Sequence, residues 1–127
     1  MGVVKKPWGT YEILLDEPNY KVKRITVFAG HRFSLQYHNH REEHWSVVSG
    51  DGTIVLGSWS AKGGRGSRWI IPQGVVHRAT AGTQELVFIE TQIGDCWEED
   101  IVRLEDDYNR ITPVSYTHLT LPTIYSV

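Results

Sequence analysis

Hydrophobic and polar positions alternate along this chain with the period of a β-strand. From Tyr20 to Val27, residues Lys21, Lys23, Ile25 and Val27 share one face, because successive strand side chains point to opposite sides. With Ile25 and Val27 in a core, the two lysines lie on the same wall. Similar runs recur at residues 11–15, 33–40, 43–47, 53–56, 68–71 and 85–92. Turn signals separate them: Asp16-Glu17-Pro18-Asn19, Ala29-Gly30, Ser49-Gly50-Asp51-Gly52 and Pro72-Gln73-Gly74. Residues 58–66, rich in glycine and serine, read as a hairpin loop. Within them Gly63-Gly64-Arg65-Gly66 precedes a strand rather than a helix, so the N–H cradle of a phosphate loop is missing. Residues 97–109 predict a strand end and a short helical turn. Short strands recurring at roughly 8–12 residues, with no helical periodicity, predict an all-β sandwich or barrel.

Composition narrows the picture. The 127 residues suffice for one hydrophobic core, with 40% hydrophobic and 22% charged residues, which excludes disorder and membrane insertion as expectations. Thirteen basic residues against 15 acidic ones, a formal charge of −2, are spread without a basic stripe, so neither nucleic acid nor a membrane surface is expected as a partner. Cys96 is the single cysteine, so no intrachain disulfide forms. The start, MGVVKKPWGTYEILL, has lysines and a proline where a signal peptide needs an apolar run, and a cytoplasmic location is expected. Residues 113–127, PVSYTHLTLPTIYSV, hold no charged residue and resemble the translation of a sequencing-library adapter. We expect a single domain over 1–112, with 113–127 outside the fold.

The densest chemistry lies in residues 36–44, where one glutamine, three histidines, two glutamates and an arginine occupy nine positions. Parity puts Ser34, Gln36, His38 and His40 on one strand face. Glu43 on an inward face would be a costly unpaired charge without a metal or cation beside it.

The spacing resembles the two motifs of the cupin superfamily. The first is read at Gly30, Gln36 (in a histidine position), His38, Glu43 and Gly50. The second is read at Gly66, Pro72, Gly74 and His77, with Ala81 where an asparagine would stand. The segments KPWGTYEI, YKVKRITVFAGHRFSLQYHNHREEHWSVVSG, IPQGVVHR and EDIVRLEDDYNR are similar to the C-terminal cupin domain of type II mannose-6-phosphate isomerases, usually fused to a mannose-1-phosphate guanylyltransferase. No nucleotide signature of that partner is present in the chain.

The resemblance implies a cupin double-stranded β-helix, a jelly-roll barrel. It implies a divalent metal held by Gln36, His38, Glu43 and His77, a set that suits zinc and also accepts cobalt, manganese, iron or nickel. A rival set pairs His38 with His40. The implied activity is interconversion of mannose 6-phosphate and fructose 6-phosphate through an enediolate, within GDP-mannose and polysaccharide metabolism. A non-catalytic metal- or sugar-binding module and another metal-cupin enzyme are the alternatives. Arg41 matches the arginine on which isomerase activity in this family depends. Lys23 is a candidate base or phosphate ligand, and Arg103 and Lys21 are candidate phosphate ligands. A sugar phosphate is the expected partner, and a homodimer is an expected assembly.

Each residue also has a plainer reading. Arg41 could pair with Glu42 at a rim. The two lysines could extend their charges into water. His44 has the wrong parity for an inward ligand, and Glu98-Glu99-Asp100 reads as a solvated face.

Overall fold

The computed structural model describes residues 2–110, so the expectation for 113–127 lies outside the described residues. Eleven strands form two antiparallel sheets, and no helix occurs among the described residues. They are β1 (Val3–Lys6), β2 (Gly9–Glu17), β3 (Tyr20–Val27), β4 (Leu35–Tyr37), β5 (Arg41–Ser49), β6 (Asp51–Leu56), β7 (Trp59–Gly64), β8 (Arg68–Ile71), β9 (His77–Ala81), β10 (Leu86–Gly94) and β11 (Val102–Glu105). One sheet runs β1-β2-β3-β10-β5-β8 and the other β11-β4-β9-β6-β7, the all-β jelly roll that the motifs imply.

Several expectations need correction. Residues 59–64 are a strand paired with β6, not a hairpin loop. Gly63 serves close packing, since a Cβ there would overlap the Trp69 indole. The expected strand at 33–40 shrinks to Leu35–Tyr37. Phe33 and Ser34 are both buried, which breaks the alternation, and the Asn39 and His40 amides donate to the Asp100 carboxylate instead of to a strand. Residues 97–109 hold β11 and turns, with no helical turn. β1 and β9 had no clear sequence signal: β1 is an exposed edge, and β9 mixes His77 and Arg78 with small residues.

The inner face of the larger sheet changes character along its length. At one end lie Val27 and Ile25 of β3, Leu86 and Phe88 of β10, and Val47 and Trp45 of β5, all buried. Trp45 stacks on Phe88 with ring centroids 4.4 Å apart, and Phe33 meets Trp45 edge-on at 5.9 Å. Each such apolar side chain contributes roughly 1.5–3 kcal/mol by burial. Ile54, Ala79 and Ala81 of the other sheet close this core.

Towards the other end the same faces carry Lys23 and Lys21, Glu90 and Gln92, and Glu43 and Arg41. The register aligns them: Lys23 pairs with Glu90, Glu90 with Trp45, Lys21 with Gln92, and Gln92 with Glu43. An apolar floor and a charged mouth are thus built by single strands. Gly50 (φ 83°) makes the turn that returns β5 into β6, where a Cβ would overlap the Glu85 carbonyl.

Candidate metal centre

His38, Glu43 and His77 bring one ligand atom each to within 4.8 Å of one another, and all three are buried. They come from the loop after β4, from β5 and from the start of β9. The cross-strand pair Gln36–His77 joins β4 to β9 and fixes that convergence.

The tautomers follow from the backbone. His38 Nδ1 lies 2.6 Å from the Asp100 carbonyl oxygen and His77 Nδ1 lies 3.0 Å from that of Val75. A carbonyl can only accept, so both Nδ1 atoms carry hydrogen and both Nε2 atoms present lone pairs inward. His77 Nε2 is buried with no hydrogen-bond partner among the described residues. It faces Glu43 Oε1 at 3.8 Å, while His38 Nε2 lies 3.2 Å from Glu43 Oε2. Lone pairs turned towards a carboxylate repel unless a cation lies between them. The donor set therefore fits a divalent metal on geometric grounds.

Ionisation points the same way. Burial lowers His38 to about 4, with Arg41 and His77 adding to the shift against the opposing Glu43 charge. Burial also lowers His77. Burial alone would raise Glu43, but the charges that His38 and His77 carry once protonated at low pH, with the Arg41 guanidinium and the Trp45 N–H, outweigh it and lower the carboxyl to about 2. At neutral pH the cluster is two neutral imidazoles and one carboxylate.

Gln36 lies beside this cluster, with its side-chain nitrogen 3.4 Å from His38 Nε2 and its oxygen accepting from Ser34 Oγ at 2.6 Å. A hydroxyl both donates and accepts, so turning the amide over keeps a Ser34 bond and presents the oxygen to the cluster. His40 is placed differently from the rival set: it is exposed, its ring centroid 5.2 Å from that of Trp97, and takes no part in the cluster. Its strand parity is lost because the chain leaves β4 at Tyr37. His44 bonds Glu42 at 2.6 Å outside the site.

Arg41 is buried rather than at a rim, and its partner is Glu43, not Glu42. Nε donates to Glu43 Oε2 at 2.9 Å, Nη1 donates to the Trp97 carbonyl at 3.0 Å, and Nη2 lies 3.3 Å from His38 Nε2. Lys21 and Lys23 are buried too, so neither extends its charge into water. Lys21 Nζ donates to Glu98 Oε2 at 3.0 Å and to the Cys96 carbonyl at 2.9 Å; Lys23 Nζ donates to Glu98 Oε1 at 2.9 Å and lies 4.1 Å from the Tyr11 ring centroid. Arg103 lies on β11, paired in register with Gln36.

The acidic segment 98–100 is a solvated face only in part: Glu98 and Glu99 are exposed, as expected, while Asp100 turns inward. Glu98 is held below its usual pKa against the effect of burial by Lys23 and Lys21, and Asp100 is buried. Asp100 binds the loop that carries His38 through both its carboxylate and its carbonyl.

Sequence reasoning also missed Glu90 and Gln92. Gln92 Nε2 donates to Glu90 Oε2 at 2.6 Å, and burial, with the nearby Glu43 charge, pushes Glu90 up to about 8. The signal was available: Leu86, Phe88, Glu90 and Gln92 share one strand parity, so two polar groups follow two core residues inward. Glu90 lines a cavity of about 140 Å³ together with Gln36, His38, Arg41 and Glu43.

Comparison with known proteins gives the chain its family. The family model described as mannose-6-phosphate isomerase C-terminal matches residues 2–106. Over 109 residues the chain is 43% identical to the xanthan biosynthesis protein XanB of Xanthomonas campestris pv. campestris, covering 84% of this chain and 23% of that protein. The alginate biosynthesis protein AlgA of Pseudomonas aeruginosa is 42% identical over the same shares. The mannose-1-phosphate guanylyltransferase ManC of Salmonella typhimurium is 39% identical over 85% of this chain and 23% of its own length. The chain thus spans about a quarter of the length of these relatives. Among solved structures, KdgF from Halomonas sp. superposes with a TM-score of 0.71 at 15% identity, over 78% of this chain and 92% of that one. A Klebsiella pneumoniae protein with a double-stranded β-helix domain gives 0.69 at 18% identity, over 79% and 89%. These two likenesses establish the cupin fold. The sequence relatives go further, and the chain belongs to the family of mannose-6-phosphate isomerase C-terminal domains.

Proposed function

We propose that this domain is a metal-dependent aldose–ketose isomerase that interconverts mannose 6-phosphate and fructose 6-phosphate. The observation that carries the reading is the buried His38–Glu43–His77 cluster, two of whose members, His38 and Glu43, line one cavity with Arg41 and Glu90. Two imidazole nitrogens and a carboxylate, with the Gln36 amide oxygen as a fourth donor, suit zinc and also accept cobalt, manganese, iron or nickel. When bound, the metal supplies a Lewis acid for the charge that develops on the sugar oxygens.

The remaining work falls to the chain. The reaction moves a proton from C2 to C1 and the hydroxyl proton from O2 to O1, with no net change in atoms or electrons. Glu90, with a pKa of about 8, can take a proton and return it near neutral pH, and its neighbour Gln92 orients the carboxyl. Lys23 has its ammonium engaged by Glu98 and serves as a fixed counter-charge beside Glu90, so the proton-carrying role passes to the carboxyl. Arg41 faces the sugar oxygens next to His38 Nε2 and stabilises the enediolate.

The test is an assay of metal-reconstituted protein for conversion of mannose 6-phosphate to fructose 6-phosphate, beside Glu90→Gln and Arg41→Ala. Turnover lost in both variants with metal content retained supports the reading. Stoichiometric metal with no turnover, whichever of the five metals is loaded, sinks it and leaves a metal-binding module.

A further inference from the structure

Charge in the cavity is unevenly answered. Lys23 and Glu98 line it, and the buried ammoniums of Lys23 and of Lys21 behind it share Glu98 as their partner. Lys6, Arg103 and Arg110 line another part of the same cavity wall. Arg110 pairs with Asp106, Nε donating at 2.8 Å, but among the described residues no ion pair holds Lys6 or Arg103. Arg103 Nε is buried with no hydrogen-bond partner among those residues.

The three cations also act on one another. Lys6 is lowered by burial and then by the Arg110 and Arg103 charges, and Arg103 by burial and then by Arg110. Glu98 offsets part of the Lys6 charge and Asp106 part of the Arg103 charge, but like charges gathered in a half-buried wall, one with an unused donor, still favour a further anion.

We infer that Lys6, Arg103 and Arg110 form an anion subsite for the phosphate monoester of a sugar whose other end reaches the His38–Glu43–His77 cluster. The sheet register supports the span. Arg103 pairs with Gln36 and Gln36 with His77, so the anion site and the cluster lie in one row. Two strand spacings separate its ends, roughly 10 Å, a distance bridged by a sugar phosphate together with the side chains that grip it. Lys21, a phosphate candidate on sequence grounds, is excluded from this role by its bonds to Glu98 and Cys96. The sugar's identity rests on the isomerase reading; the anion site does not.

Calorimetric titration of the metal-loaded chain with inorganic phosphate, mannose 6-phosphate and mannose tests the subsite. Arg103→Gln and Lys6→Ala are each expected to weaken both phosphate ligands by about tenfold or more, with metal content and mannose binding unchanged. Where turnover is measurable, KM rises and kcat stays. Lys6→Ala removes a side chain at the end of an edge strand, so it remains informative even if Arg103→Gln fails to fold. Wild-type affinity for phosphate in either folded variant, or no phosphate binding by the wild type, overturns the inference. Phosphate binding that depends on Arg103 without isomerase turnover retains the subsite and removes the isomerase reading; turnover with unchanged KM in the variants does the reverse.

Discussion

Arg41 Nε donates to Glu43 Oε2 across 2.9 Å, and the two side chains, two residues apart on β5, lie together on its inward face. The guanidinium therefore steadies the buried carboxylate of the candidate metal cluster and also points a nitrogen at His38. Arg41→Lys keeps the charge but loses the fork that reaches Glu43, His38 and the Trp97 carbonyl at once. We expect turnover to fall by about 100-fold or more while metal stoichiometry stays at one, measured by steady-state kinetics beside elemental analysis. Retained wild-type kcat would remove Arg41 from the mechanism.

Metal binding should depend on the support of the ligands as well as on the ligands. His77→Ala and Glu43→Gln should abolish stoichiometric zinc binding. Asp100→Ala, which frees the Asn39 and His40 amides beside His38, should weaken metal affinity by about 10–100-fold. Zinc at 100 times its Kd should stabilise the native protein by about 2.7 kcal/mol in urea titrations and leave His77→Ala unmoved. An equal stabilisation of that variant would place the ion elsewhere.

Trp45 Nε1 donates to Glu43 Oε1 at 3.0 Å. Trp45→Phe retains a ring over Phe88 but leaves that carboxylate oxygen short of a donor, and a hydrogen bond to a charged group is worth about 1.5–3 kcal/mol. The metal-free variant should lose stability of that order by equilibrium urea unfolding. A loss under about 0.5 kcal/mol would show that water or Arg41 replaces the indole.

The pH dependence of stability should carry the mark of Glu90. Its folded pKa is about 8 against an ordinary 4.5. Between these values the folded state keeps a proton that the unfolded chain has released, so stability falls as pH rises through this window. His38, lowered from 6.5 to about 4, has the opposite sign: the unfolded chain binds the extra proton, and stability rises from pH 4 to 6.5. The two oppose each other below pH 6.5, and from 6.5 to 8 the Glu90 slope dominates. In chelator-treated protein, urea midpoints should fall across that upper interval and stay level in Glu90→Gln. Parallel profiles would assign the slope to another group.

Much of this was legible in the linear chain. The run from Tyr20 to Val27 was readable as β3 to the residue, and the parity of Lys21 and Lys23 was correct because a strand in a regular ladder has no freedom to turn one side chain out. Parity failed at residues 33–40, where the ladder stops: His40 leaves the ligand face because Asp100, 60 residues away, takes its amide. Gly63 read as part of a loop because sequence cannot distinguish a glycine that turns the chain from one that lets an indole approach.

By itself the sequence determined that the chain is all-β, which wall the lysines share, and that Gln36, His38, Glu43 and His77 belong together, since these depend on local periodicity and motif spacing. Tertiary structure alone decided the electrostatics. It placed Glu98 on the two lysines and Glu43, not Glu42, on Arg41. It raised Glu90 by burying it near Glu43, and it left Lys6 and Arg103 without ion-pair partners among the described residues. Those outcomes depend on which charges meet across sheets and loops, and on how little water remains between them.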